Sequence, residues 1–336
     1  MMVQFRSAIF AAMRNAFIFL GFLFLAGCSS TVKQQATGYT QGTTYSVIYF
    51  NDGSKDYQYQ IDSLLLDFDR VLSTYQETSY ISKWNRGEVK GADQPTMFKE
   101  VVSTANQISA RTDGAFDITV SPLMKYWFER NWNTMELDST EVDSIMRFVG
   151  MDKIVESGDD FSKNDSNVQL DVNAIAQGYS VDVVSRYLES EGIFNYLVEI
   201  GGEVRASGTK PNDEPWKVGI DKPTEGNTER ELAMSVELVN RSLATSGNYR
   251  KFVEINGQKF GHTLDAKTGY PVKTDVLSAT VLANDCMTAD AYATALMAMG
   301  FESSQKLIES IDDIDAILIY SDAFGNVNTW DSRGEN

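Results

Sequence analysis

The strongest limit on the architecture is a change, part-way along the chain, in the period at which apolar residues recur. In the first half they fall at helical spacing: Ile61, Leu64, Leu65, Phe68, Val71 and Leu72, then Met97, Val101, Val102, Ala105 and Ile108. A third stripe, Val142, Ile145, Met146 and Val149, follows Asp138 and Glu141, which resemble a capping box, and is stopped by Gly150. In the second half the apolar residues gather in short runs at Tyr196 to Ile200, Trp216 to Ile220, Leu232 to Val239 and Val276 to Ala283, bounded by Gly, Pro, Asn and Asp. That is a strand pattern, interrupted by a helix over Cys286 to Met299. It closes with a hairpin of Ala316 to Tyr320 and Val327 to Trp330. Near the start, Tyr45, Val47 and Tyr49 alternate with Thr44, Ser46 and Ile48, so Tyr39 to Phe50 also reads as strand. Helices and strands do not alternate strictly. The pattern predicts an α+β fold with a mainly antiparallel sheet and flanking helices rather than a doubly wound one. No Pro-, Gly- or Ser-rich linker divides the chain, which favours two closely joined lobes.

The N-terminus reads as an export signal. Arg6 and Arg14 precede an apolar stretch from Ala16 to Ala26, too short for a comfortable membrane span. It ends in Leu25, Ala26, Gly27 and Cys28, which resembles a lipoprotein processing site, so residues 1–28 are expected to be signal, with Cys28 lipidated. An ordinary cleaved signal is the plainer reading. Residues 29–38, polar and small, suit a tether, leaving 39–336 as the folded body. Ser29, standing where an aspartate would retain the protein at the inner membrane, points to the periplasmic face of the outer membrane.

Composition excludes several chemistries. There are 29 Lys and Arg against 47 Asp and Glu, a balance that repels nucleic acid. With Cys28 acylated only Cys286 remains, so no intramolecular disulfide forms. His262 is the only histidine, so a metal site must be built from oxygen.

Five segments carry candidate chemistry. Asp290 and Thr294 stand four apart on a helix and project oxygens from one face, which suits Mg²⁺; the plainer reading is a solvated surface acid. Asp171 to Gly178 runs from strand into helix through small residues, with Asp171 as a potential cap. Gly201 and Gly202 follow a strand and either free backbone N–H groups for a ligand or make a tight turn. His262 lies in a turn-rich stretch from Gly261 to Pro271, and a near-neutral pKa fits it to accept a hydroxyl proton. Asp113 to Asp117 reads as a turn, with Phe116 as a stacking surface. No dinucleotide-binding or Walker glycine fingerprint is present.

Taken in order, eight stretches resemble the ApbE family of FAD:protein FMN transferases: GTTY at 42–45, LSTY and SYISKWN at 72–85, DGAFDITVSPL at 113–123, AIAQGYSVD at 174–182, IGGEVRASG at 200–208, ATSGNY at 244–249, HTLDAKTGYPV at 262–272, and TADAYATALMAMG at 288–300. The resemblance implies a T-fold-like architecture, FAD bound between lobes and Mg²⁺ bridging its pyrophosphate. It assigns Asp290, Thr294 and the Ala174 carbonyl to the metal, and Gln41, Tyr75, Ala115, Phe116, Asp117, Asp171, Gln177 and Leu264 to flavin and adenine contacts. His262 takes the place of the presumed base. Gln177 stands where many members carry lysine, Gln41 where methionine is frequent, and Ala293 where some members have an acid. The implied reaction moves FMN from FAD to a threonine or serine of an acceptor protein, with loss of AMP. The implied acceptors are exported or membrane redox proteins, including subunits of sodium-pumping complexes. An FAD pyrophosphatase and a non-catalytic FAD-binding lipoprotein are the rival readings.

Overall fold

A computed structural model describes residues 31–89, 93–130, 138–223, 231–247, 252–255, 258–261 and 263–334; for 252–260 only the backbone is described. Cys28 and His262 lie outside the described residues.

The sheet begins with a hairpin, β1 (Val32–Thr40) and β2 (Thr43–Asn51). Five helices follow: α1 (Gln58–Leu72), α2 (Tyr80–Asn85), α3 (Thr96–Arg111), α4 (Ser121–Phe128) and α5 (Ser139–Met146). After a small hairpin, β3 (Ile154–Ser157) and β4 (Asp160–Lys163), comes the long helix α6 (Asn173–Ser190). The strand-rich half comprises β5 (Tyr196–Ile200), β6 (Glu203–Ser207), β7 (Trp216–Asp221), β8 (Leu232–Leu238), β9 (Arg241–Gly247), β10 (Phe252–Ile255), β11 (Gln258–Gly261) and β12 (Val276–Ala283). Then α7 (Cys286–Met299), α8 (Phe301–Ile308) and the hairpin β13 (Asp315–Ser321) and β14 (Val327–Asp331) complete the chain's described order.

Eight strands form one sheet in the order β1-β2-β5-β6-β9-β12-β13-β14, and every ladder between named strands is antiparallel. The α+β expectation holds. Its basis is visible in β2 and β5: Tyr45, Val47, Tyr49, Tyr196, Val198 and Ile200 are buried beneath α6, whereas Ile48, Phe50 and Leu197 turn to the opposite face. That opposite face is covered by the β7–β8 hairpin through Trp216, Ile220, Val236 and Leu238. A separate cluster of Leu123, Tyr126, Trp127, Val142 and Leu264 joins α4 and α5 to the loop after β11.

Three expectations are corrected. Residues 32–38 are not tether but most of β1, paired along its length with β2. In β1 only Ala36 and Thr40 are buried, so this edge strand carries almost no apolar alternation to read. The expected strand from Tyr39 to Phe50 is accordingly the end of one strand, a turn at Gln41 and Gly42, and a second strand. The capping box is half present: Asp138 accepts from the Thr140 N–H at 2.8 Å, but Glu141 is drawn away into a bidentate pair with Arg130 at 2.7 and 3.0 Å.

Candidate functional site

The site is built where α6 and α7 cross. Helix α7 is apolar nearly all round and packs against β9 and β12, with Tyr292, Leu296 and Met297 sealed in the core. A charged residue on such a helix is exceptional, and Asp290, 8% exposed, is that residue. The reading of Asp290 as a solvated surface acid is therefore wrong. Its Oδ2 accepts a hydrogen bond from the backbone N–H of Gly178 on α6 at 2.9 Å.

The approach depends on glycine. A Cβ at 178 would lie 2.3 Å from the carbonyl oxygen of Cys286 and 2.7 Å from the Asp290 Cβ, so no larger residue fits without parting the helices. One turn further along α6, Asp182 accepts from the backbone N–H groups of Cys286 and Met287, both at 2.8 Å. Residue 182 thus meets 286 and residue 178 meets 290, which makes the helices antiparallel. Continuing that register by one turn sets Ala174 level with Thr294. The three residues assigned to a metal occupy two adjacent levels of a single helix pair.

Electrostatics mark the same place. Burial raises the Asp290 carboxyl to about 7; the Gly178 N–H opposes the shift and the nearby Asp182 adds to it. Burial likewise raises Asp182 to about 7. Glu203, at the start of β6, is pushed well above the carboxylate range by burial and then by the Asp290 charge. Glu203 Oε2 is buried with no hydrogen-bond partner among the described residues.

Two turns flank the crossing. At Gly201, with φ +65°, a Cβ would fall 1.6 Å from the Gln177 side-chain nitrogen and 2.9 Å from Thr43. The turn reading of this glycine is right, and the turn lets Gln177 Nε2 donate to the Ile200 carbonyl at 3.1 Å. The Gly201 N–H donates to the Thr44 carbonyl at 3.1 Å, tying this turn to the β1–β2 turn. There Gln41 takes a left-handed φ of 51° and holds a buried side-chain nitrogen without an acceptor among the described residues.

The remaining predicted residues separate into two groups. Asp171 immediately precedes α6, its N–H on the Ile118 carbonyl at 2.7 Å, which lays the segment beside the turn containing Ala115 and Asp117. Its carboxylate accepts from the Asn173 N–H at 2.9 Å, although Val172, not Asp171, is the capping position. Tyr75 is 85% exposed, and its hydroxyl lies 3.4 Å from Asn173 Nδ2. These residues gather at the N-terminal end of α6. Phe116, by contrast, is a core residue clustered with Phe98 and Val101 and offers no stacking surface, and its backbone N–H donates to Thr112 Oγ1 at 3.2 Å. Asp117 is consumed by the fold: Oδ1 accepts from the Thr119 N–H and hydroxyl, Oδ2 from the Met151 N–H. Leu264 is 7% exposed and bridges Pro271 within the α4 cluster. A groove of about 370 Å³ between α3 and the loop around Lys267 is lined by Asp117 but by neither Asp290 nor Gln177.

Sequence reasoning missed four residues that set this geometry. Asp182 anchors the first turn of α7, and Asp285 caps it through the Thr288 N–H at 2.8 Å. Asn85 pairs with both backbone groups of Leu170 at 2.7 and 2.8 Å, fixing the approach to α6. Glu203 is the fourth. Asp182 and Glu203 lie inside the motifs quoted above, but nothing in their spacing announces burial. Among the described residues no group of three or more His, Cys, Asp or Glu converges as a metal cage. Mg²⁺, which needs only one or two carboxylates alongside carbonyl, water and phosphate oxygens, fits the buried Asp290 carboxyl at this crossing.

The fold that carries this crossing is shared with known proteins. The sequence model of the ApbE family matches residues 41–318, and the chain belongs to that family. The FAD:protein FMN transferase of Vibrio cholerae serotype O1 is 36% identical over 320 residues, spanning 91% of this chain and 94% of that protein. Its counterpart from Haemophilus influenzae is 35% identical over 315 residues, spanning 89% and 90%. The solved flavin transferase ApbE from Vibrio cholerae matches with a TM-score of 0.79 at 32% identity, covering 90% of this chain and 97% of that one. The family read from eight motifs is borne out.

Proposed function

We propose that this protein is a FAD:protein FMN transferase: it moves FMN from FAD onto a threonine or serine hydroxyl of an acceptor protein through a phosphoester bond, and AMP departs. The observation that carries the reading is the antiparallel crossing of α6 and α7, in a chain of this family, that puts the buried Asp290 carboxyl against Gly178. Asp290, Thr294 and the Ala174 carbonyl would hold Mg²⁺, which when bound draws negative charge off the pyrophosphate oxygens. Tyr75, Asp171, the backbone of Ala115 and Phe116, and the two amides Gln41 and Gln177 bind the dinucleotide; Leu264 and Asp117 support the loops that enclose it. Because Gln177 is neutral, it donates a hydrogen bond without supplying charge, and the cation carries the neutralisation. His262 takes the proton from the acceptor hydroxyl as oxygen attacks the FMN-side phosphorus.

We place the protein on the periplasmic face of the outer membrane, anchored by acylated Cys28. Among the described residues no helix is long and apolar enough to cross a membrane. Its acceptors on this reading are exported or membrane-bound redox proteins.

The test uses the purified chain, FAD, Mg²⁺ and a candidate acceptor. Yellow fluorescence that stays on the acceptor in a denaturing gel, and is lost with Asp290→Ala, supports transfer. Release of FMN and AMP without labelling would assign a pyrophosphatase instead; tight FAD binding without turnover would make it a carrier.

A further inference from the structure

We propose that Glu203 is a second acid of the divalent-cation site, joining Asp290 across the gap between the start of β6 and α7. The inference rests on the cation reading above and adds a residue to it. Glu203 is 9% exposed, and among the described residues its Oε2 has no hydrogen-bond partner. A buried carboxylate oxygen left unpaired is strongly unfavourable unless something absent from the protein itself completes it. Its position says what that is. Strand β6 abuts the first turn of α7, where the Cys286 thiol points at the Val204 carbonyl at 3.6 Å, and Asp290 stands one turn further along that helix.

The surrounding groups narrow the choice. Asp182 cannot serve, because both its oxygens are occupied by the Cys286 and Met287 N–H groups. The Asp290 Oδ2 is taken by Gly178, so a cation would find one Asp290 oxygen and the unpartnered Glu203 oxygen. Among the described residues no cationic side chain pairs with either acid: Arg205, the other charged residue of β6, is turned to Tyr196, Ser242 and the Asn284 carbonyl. Gln177, hydrogen-bonded at the same turn, is neutral. Two acids sharing a buried site with no positive partner among the described residues call for a cation, and oxygen ligands select a hard one.

The experiment measures Mn²⁺ binding to the purified full-length chain by electron paramagnetic resonance, with ADP as a non-reacting diphosphate, for wild type, Glu203→Gln, Glu203→Asp and Asp290→Asn. The proposal expects Glu203→Gln to weaken Mn²⁺ binding by about 10- to 100-fold, the range seen when a group supporting a metal is removed. Glu203→Asp, keeping the charge on a shorter arm, falls between. Melting in EDTA supplies a readout that a purely structural acid would not give: Glu203→Gln melts at or above the wild-type temperature, and the rise on adding Mn²⁺ shrinks. Wild-type Mn²⁺ affinity in Glu203→Gln together with loss in Asp290→Asn overturns the proposal while leaving the cation reading intact. Wild-type affinity in Asp290→Asn overturns that reading and this proposal with it. A Glu203→Gln protein that melts lower in EDTA and still binds Mn²⁺ normally makes Glu203 a structural acid only.

Discussion

Replacing Gly178 by alanine separates two opposed effects. In an ordinary helix the change stabilises by about 1 kcal/mol, because glycine is the poorer helix former. Here the added Cβ would sit 2.3 Å from the Cys286 carbonyl oxygen and 2.8 Å from the Cys286 carbonyl carbon. Carbon–oxygen contacts settle near roughly 3.3 to 3.6 Å, so the helices must part by about 1 Å. Both obstacles are backbone and cannot swing aside. Overpacking of this kind costs about 1–3 kcal/mol. Parting the helices also stretches the 2.9 Å bond from Gly178 to Asp290, and a hydrogen bond to a charged group contributes about 1.5–3 kcal/mol. After the helix-propensity gain is set against these losses, net destabilisation of about 2–4 kcal/mol remains. At roughly 2–4 °C per kcal/mol for a domain of this order of size, the melting midpoint should fall by about 5–15 °C. Thermal melting followed by near-ultraviolet circular dichroism measures it, and acceptor labelling measures the accompanying loss of transfer. Gly192→Ala is the control: it sits at the end of the same helix with φ +80° and open space around it. It should lose about 1–2 kcal/mol from backbone strain alone and keep its turnover. A Gly178→Ala protein as stable and active as wild type would refute the close crossing.

Acidity should act on the same helices. Asp182 and Asp290 are each raised by burial to about 7 from 3.8, so between those values the folded chain keeps protons that the unfolded chain has released. Their contribution is complete below about pH 4 and is lost as pH rises through 7. In EDTA the melting temperature should be higher at pH 5 than at pH 8, and Asp182→Asn should flatten that slope; a midpoint that rises over this range would contradict the burial of both groups. Tyr75→Ala, at an exposed position, should change stability by no more than about 0.5 kcal/mol while raising KM for FAD, and an unaltered KM would remove Tyr75 from the dinucleotide site.

What could be read in the sequence follows from whether its cause is local. The α6 and α7 helices, the β2 alternation and the closing hairpin are set by neighbouring residues, and each was legible. The burial of Asp290 was not, because four-residue spacing says only that Asp290 and Thr294 share a face. What that face meets is decided by Gly178, more than a hundred residues away, and by the sheet that presses α7 inward. Phe116 shows the same limit in reverse: an aromatic in a turn suggests a platform, yet the hydrophobic effect turned it into the core beneath α3. The pair Asp182 and Gly178 made the difference between a stripe of small residues and a defined register. Asp182 fixes one level of the helix pair by holding two N–H groups, and Gly178 fixes the next by having no side chain. Between two helices pinned at successive levels, the third level has no freedom left. Carried one turn further, the register sets Ala174 level with Thr294, and a substitution that slips the Asp182 level should disable the site without touching any group that contacts the substrate.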